Sequence, residues 1–266
     1  MLKRRVFTAT VGIPLIILAV WFGDPWFSLL IAAVVWIGTS EFYHMSTGLT
    51  KRYPLTYFGL SWALVLALSP HYTNTLPIVI TAAVAISLIW LLCLSPQEKA
   101  FYDWAWLVAG VLYVGWMLSY WVNLRILEDG RGWVYLAILT TFANDTGAFF
   151  AGRAWGKHRL ASAISPGKTW EGALGGLLSA IVGAIAVFII LGYFSPLPLG
   201  YGQVILLACF ISLFAQLGDL VESLLKRNMG VKESGKLLPG HGGILDRFDS
   251  LIFVGAMVYY YVIWTA

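Results

Sequence analysis

Residues 202–227 read GQVILLACFISLFAQLGDLVESLLKR, and the fold turns on which solvent this stretch requires. From Gly202 to Leu217 it carries no charge. As a helix rising about 1.5 Å per residue, the whole run exceeds the roughly 30 Å of hydrocarbon in a bilayer. It closes on Lys226-Arg227, a pair suited to cytoplasmic headgroups. Within it Gln216, Asp219, Ser223 and Lys226 are spaced by three, four and three, so they share one helical face with Glu222 beside it. The stretch therefore predicts a membrane-embedded helix with a polar stripe.

Working outward, the same reading applies to the whole chain. Its 266 residues are 59% hydrophobic and 11% charged, with a mean hydropathy of +0.79. The charges fall in short clusters between uncharged runs, the pattern of a protein whose exterior is solvated by lipid. Nine runs are long enough to span, at about 6–22, 26–46, 53–69, 75–95, 101–121, 132–152, 171–193, 202–227 and 250–265. The expected fold is all-α, a polytopic integral membrane protein of about nine helices. Lys3-Arg4-Arg5 before Val6–Phe22 has the order of a secretory signal peptide, but Trp21-Phe22-Gly23-Asp24-Pro25 lacks a small-x-small cleavage pattern, so a retained first helix is expected. Cys93 and Cys209 sit in apolar runs with no neighbouring Cys or His, and read as packing residues.

With the N-terminus cytoplasmic, nine spans put 15 of the 17 basic residues on the inner side, leaving Arg125 and Arg131 outside beside Glu128 and Asp129. That partition obeys the positive-inside tendency, and one span more or fewer scrambles it. It also explains the net charge of +4 and pI near 9.0 without a nucleic-acid partner. The two longest polar segments, 153–170 and 228–249, both fall on the cytoplasmic side, where function is expected. Residues 1–100 read as a transmembrane scaffold, in which only Glu41 needs a chemical explanation, and 101–266 as the catalytic region.

Ionised side chains at membrane depth cost about 2.5 to 3.5 kcal/mol on insertion scales, so Asn144-Asp145 and Asp219 are functional candidates. For Asp219 alone a helix–helix hydrogen-bond seam, or neutralisation by Lys226, is an equal reading. The following loop carries Lys226, Arg227, Lys232, Lys236 and Arg247, cations suited to the phosphates of a nucleotide. Gly240-His241-Gly242-Gly243 offers close backbone approach to an anion. Asp246 and Asp249 open the last span three residues apart, and carboxylates beside such cations suit a divalent ion bridging to a polyphosphate. A basic patch that merely adheres to anionic headgroups explains the lysines but not Gly-His-Gly-Gly or Asp-Arg-Phe-Asp.

The stretch Ser223–Asp249 resembles the signature of the phosphatidate cytidylyltransferases, also called CDP-diacylglycerol synthases, with Glu233 where that family usually has Asp. A second similar stretch is Ser165-Pro166-Gly167-Lys168-Thr169-Trp170-Glu171-Gly172, preceded by Asn144-Asp145 and Gly156-Lys157. The resemblance covers about residues 140–265. Taken alone, Gly167-Lys168-Thr169 lacks the full phosphate-loop spacing, and it reads instead as a loop leading into a helix, whose free N–H groups and Lys168 suit phosphate. Plain helix capping would account for Ser165 and Thr169 but not for Lys168.

What the resemblance implies is an enzyme that transfers the cytidylyl group of CTP to phosphatidic acid, giving CDP-diacylglycerol and pyrophosphate in phospholipid biosynthesis. It implies Mg2+ on Asp219 and Asp246, a second metal ion such as K+, and Asp145 and Asp249 completing the site. Catalysis falls to those metal carboxylates with Lys226, Arg227 and Arg247. Substrate binding falls to Asp145, Ser165, Lys168, Thr169, Glu171, Ser223, Lys232, His241, Gly242, Gly243 and Asp249. The expected location is a bacterial inner membrane with the site facing the cytoplasm. Small residues in Gly172-Ala173-Leu174-Gly175-Gly176 permit close packing within the bundle or in a homodimer. A secondary transporter relaying cations through Asp145 and Asp219 is the rival of another class, disfavoured because the charges crowd one face. A CTP-dependent lipid kinase would release CDP instead of forming a CDP-lipid.

Overall fold

The computed structural model describes residues 2–46, 53–92, 100–235 and 242–265. Lys51, Arg52, Cys93, Lys99, Lys236 and His241 lie outside the described residues, as do the side chains of Lys3, Arg4 and Arg5. The chain forms helices α1 (Leu2–Phe22), α2 (Trp26–Met45), α3 (Tyr53–Ala67), α4 (Leu76–Leu92) and α5 (Ala100–Gly110). A π-helical segment (Val111–Trp116) leads into α6 (Met117–Ile126) and then α7 (Gly130–Trp155). A hairpin of β1 (Arg159–Ala161) and β2 (Ser165–Thr169) precedes α8 (Trp170–Leu191), α9 (Tyr201–Asn228) and α10 (Leu245–Thr265).

Among the described residues, six helical stretches are long and apolar enough to cross a membrane: Trp26–Met45, Thr73–Leu92, Ala100–Ile126, Trp170–Leu191, Tyr201–Asn228 and Leu245–Thr265. Gly12–Phe22 and Pro54–Ala67 are shorter apolar helices. α7 is not among the six, because Asn144-Asp145 and its threonines dilute its apolarity. The nine runs expected from the sequence thus correspond to these six, the two shorter helices and α7. Leu178, Val182 and Ile78 are 65%, 69% and 70% exposed, which water does not tolerate over whole helix faces but lipid does. The architecture is that of an all-α integral membrane protein.

Two compact units divide the chain by packing: Met1–Val122 with Glu233–Arg247, and Asn123–Lys232 with Phe248–Ala266. This division by contact is separate from the functional division expected near residue 100. In the first unit α2 packs against α1, α3, α5 and the π-helical segment. Tyr43 is fully buried and donates to the Leu107 carbonyl at 2.9 Å, while Phe42 stacks on Trp106 with ring centroids 4.5 Å apart. Gly110 admits the Tyr43 ring so closely that a Cβ there would sit 2.5 Å from it.

In the second unit α8 lies between α7 and α9 contacts, with the α7–α8 seam the closest. Gly175 is required there, since a Cβ would fall 2.2 Å from that of Ala151. The small residues of 172–176 are therefore used within the chain: Gly172 meets Ala148 and Gly152, and Gly176 meets Asn144. The segment 165–169, expected as a loop, is instead strand β2. Arg159 pairs with Thr169 and Ala161 with Ser165, with an irregularity between. The physical reason is local: Pro166 drives the residue before it into extended backbone.

Candidate active site

The second unit gathers most of the predicted residues. Asp219, in the C-terminal half of α9, forms an ion pair with Lys168 of β2, Nζ to Oδ2 2.8 Å, and accepts from the Ser223 hydroxyl at 3.4 Å. The Ser223 contact is the four-residue spacing of the polar stripe made real. Asp145 on α7 accepts from the Asn144 amide at 3.0 Å, and its charge is felt by Asp219 and Lys168. Asp249 on α10 lies within range of the charges of Asp219, Glu222 and Asp145. α9 and α10 approach closely here, since a Cβ on Gly218 would meet the Asp249 carbonyl at 2.5 Å.

Behind the carboxylates lies a neutral network. The Asn144 side-chain oxygen accepts from the Ser212 hydroxyl at 2.7 Å and from the Gln216 amide at 3.4 Å. Gln216 also donates to the Ala173 carbonyl at 3.2 Å and to the Ser212 oxygen at 3.0 Å. Asn144 is 1% exposed, so these donors satisfy a buried carbonyl that would otherwise destabilise the α7–α9 contact. The Gln216 end of the stripe is thus structural, and the Asp219 end carries charge.

Other predicted residues have local roles. Thr169 caps α8 by accepting the Gly172 amide at 3.1 Å. Glu171 accepts the backbone amides of Lys157 and His158 at 3.1 and 3.2 Å, and its carboxylate meets the His158 ring Nδ1 at 2.6 Å. Ser165 sits in the hairpin opposite Ala161. Lys226 is paired with Glu222 one turn away, both buried, which gives Glu222 a role that the spacing reading left unassigned. Arg227 donates to the carbonyls of Ile164 at 3.3 Å and Val231 at 3.1 Å, tying the hairpin turn to the end of α9. Lys232 is exposed.

Asp246 and Arg247 open α10 in the first unit, with Arg247 exposed. Asp246 Oδ2 accepts the Ser234 amide at 3.0 Å and the Gly243 amide at 2.8 Å. Gly242 has φ +80, a left-handed conformation open to glycine, and a Cβ there would lie 2.6 Å from Asp246 Oδ2. Glu41 of α2 accepts from the Ser234 hydroxyl and from the Ile244 and Leu245 amides. Its signal in the sequence is a carboxylate alone in an apolar run, but its partners stand some 200 positions along, where no periodicity points.

Whether these groups suit a metal ion follows from their charges. The second-unit cluster holds four carboxylates, Asp145, Asp219, Glu222 and Asp249, against two ammoniums, Lys168 and Lys226. That surplus of anionic oxygen fits a hard divalent cation. Among the described residues no three His, Cys, Asp or Glu side chains form a ready cage. Mg2+ is commonly held by one or two carboxylates plus substrate phosphates, so the donor set fits that mode.

Comparison with known proteins identifies the family. The profile described as "Cytidylyltransferase family" matches residues 3–265. The chain is 34% identical over 257 residues to "Phosphatidate cytidylyltransferase" of Staphylococcus haemolyticus, covering 95% of this chain and 96% of that one. It is 33% identical over 292 residues to the protein of that name from Synechocystis sp., covering 98% and 96%. It is 35% identical over 294 residues to "Phosphatidate cytidylyltransferase 4, chloroplastic" of Arabidopsis thaliana, covering 98% and 73%.

Proposed function

Because the chain belongs to the cytidylyltransferase family, matched over residues 3–265 and by relatives along nearly its whole length, we infer that it joins CTP to phosphatidic acid, forming CDP-diacylglycerol and pyrophosphate. It is a CTP-dependent nucleotidyltransferase of phospholipid biosynthesis. A phosphate oxygen of phosphatidic acid attacks the α-phosphorus of CTP. The bond from that phosphorus to the oxygen bridging to the β-phosphate breaks, and pyrophosphate leaves. The nucleophile is already an anion, so no general base is required, and the task is to hold mutually repelling anions in line.

The observation that carries the site assignment is the Lys168–Asp219 pair within a cluster rich in carboxylate. Lys168 is held beside the carboxylates by β2 and serves to neutralise phosphate. Arg227 and Lys232 supply further cationic donors, Lys226 does so from its place beside Glu222, and the same role for Arg247 rests on the sequence signature. Asp219 is assigned as a metal ligand, with Asp145 and Asp249, whose charges act on it, as the groups that orient its surroundings. Asp246 as the partner ligand, His241, Gly242 and Gly243 in substrate binding, and a second ion such as K+ rest on the sequence signature. When bound, a divalent ion supplies Lewis-acid stabilisation of charge on the phosphates.

Nine spans with a cytoplasmic N-terminus and a site reached by cytosolic CTP are supported by the partition of the basic residues, and a bacterial inner membrane by the bacterial relatives. A homodimer loses the support of 172–176, which pack within the chain, and is tested by cross-linking in the native membrane.

The decisive assay incubates the purified protein with radiolabelled CTP and phosphatidic acid, with and without Mg2+, and separates products by thin-layer chromatography. A Mg2+-dependent CDP-lipid is expected. Release of CDP with a newly phosphorylated lipid, or no lipid product, overturns the reading. Asp219→Asn or Asp246→Asn protein with undiminished Mg2+-dependent synthesis removes that residue from the metal assignment.

A further inference from the structure

We propose that Glu41 is a positioning residue for cytidylyl transfer, a buried carboxylate on α2 that holds Ser234 and the start of α10 and, through them, the carboxylate of Asp246. The proposal rests on the reading that Asp246 serves the reaction. Glu41 is the single Asp or Glu of α2 and is 8% exposed. A carboxylate withdrawn from water needs strong compensating donors. Here they are neutral: the Ile244 amide at 3.0 Å on Oε1, and the Leu245 amide at 2.9 Å with the Ser234 hydroxyl at 3.0 Å on Oε2.

The two amides belong to the start of α10, where N–H groups lack intrahelical acceptors and the helix dipole favours an anion. Glu41 thus does for α10, from a distant part of the chain, what a local capping residue usually does. It also reaches past the helix start. Ser234, whose hydroxyl binds Glu41, gives its amide to Asp246 Oδ2 at 3.0 Å, and Gly243, next to the Glu41-bound Ile244, gives its amide to the same oxygen at 2.8 Å. The fit leaves no slack, because a Cβ on Gly235 or Gly243 would come within 2.5 or 2.3 Å of the Glu41 carboxylate. Of the two amides that donate to Asp246 Oδ2, that of Ser234 belongs to a residue bound by Glu41 and that of Gly243 adjoins one. Loss of the carboxylate releases Ser234 and the start of α10 and lets Asp246 turn.

The test compares Glu41→Gln, Ser234→Ala and Asp246→Asn with the unaltered full chain in one detergent, measuring kcat, thermal unfolding and amide hydrogen exchange. Gln presents an N–H2 where only acceptors fit, so E41Q is expected to lower kcat by about 10- to 100-fold. Its exchange should quicken in peptides covering 234–246 while α7 and α9 stay protected. S234A, which removes one of the three bonds, is expected to lower kcat by a smaller factor with unchanged unfolding. E41Q with unaltered kcat beside an inactive D246N overturns the proposal alone. Unaltered kcat in both E41Q and D246N overturns the underlying role of Asp246 as well. Loss of kcat in E41Q with exchange rising equally across α7 and α9, and no effect of S234A, reduces Glu41 to a fold-stabilising residue and also overturns it.

Discussion

Lys168 of β2 and Asp219 of α9 meet at 2.8 Å, so each is the other's test. Lys168→Ala removes a phosphate donor and leaves Asp219 without its cation, and a fall of at least about 100-fold in kcat/KM is expected in the CTP assay. Lys226 behaves differently. Its ammonium neutralises Glu222, which has no exposed surface, so Lys226→Ala strands a buried charge and is expected to cost about 3 to 5 kcal/mol of stability. Thermal unfolding reads this, and the double variant Glu222→Gln, Lys226→Ala should recover much of the loss. If the double variant is stable yet inactive, the phosphate role of Lys226 is separated from its structural one. Thr169→Ala, by contrast, removes only the cap of α8 and should cost about 1 kcal/mol.

At the scale of elements, the hairpin β1–β2 and the α7–α8 seam decide where Lys168 can reach. The seam depends on missing side chains: a Cβ at Gly147 would fall 1.9 Å from the Ser179 hydroxyl, and at Gly175 it would strike Ala151. Gly175→Val therefore forces the helices apart and is expected to destabilise by about 1 to 3 kcal/mol or more, seen as a lower unfolding temperature with activity lost in parallel. The sequence showed these elements unevenly. The apolar runs and the three, four, three spacing on α9 were legible because helical periodicity is local. The hairpin was not, since Ser165-Pro166-Gly167-Lys168-Thr169 carries turn-forming residues and too few positions for an alternating pattern to register. The Glu41 clasp on the start of α10 was hidden for another reason: its hydrogen bonds span 193 to 204 positions, and no local pattern reports them.

For the molecule as a whole, the distribution of cations is the basis of the proposed orientation, with the N-terminus cytoplasmic. A cysteine introduced at Glu128 should react with an impermeant thiol reagent added from outside intact cells, and one at Lys157 only after the inner face is opened. The reverse pattern would invert the topology. Composition, run length and charge placement determined by themselves that this is an all-α membrane protein, and the long signature at 223–249 pointed to the right family, because solvation and motif chemistry are properties of the residues themselves. Only the tertiary structure decided which carboxylate meets which cation, that Glu222 and Lys226 neutralise each other, and that Glu41 belongs with the Asp246 segment. Those pairings depend on which helices pack side by side, and a buried charge takes whichever partner the packing brings within hydrogen-bond distance.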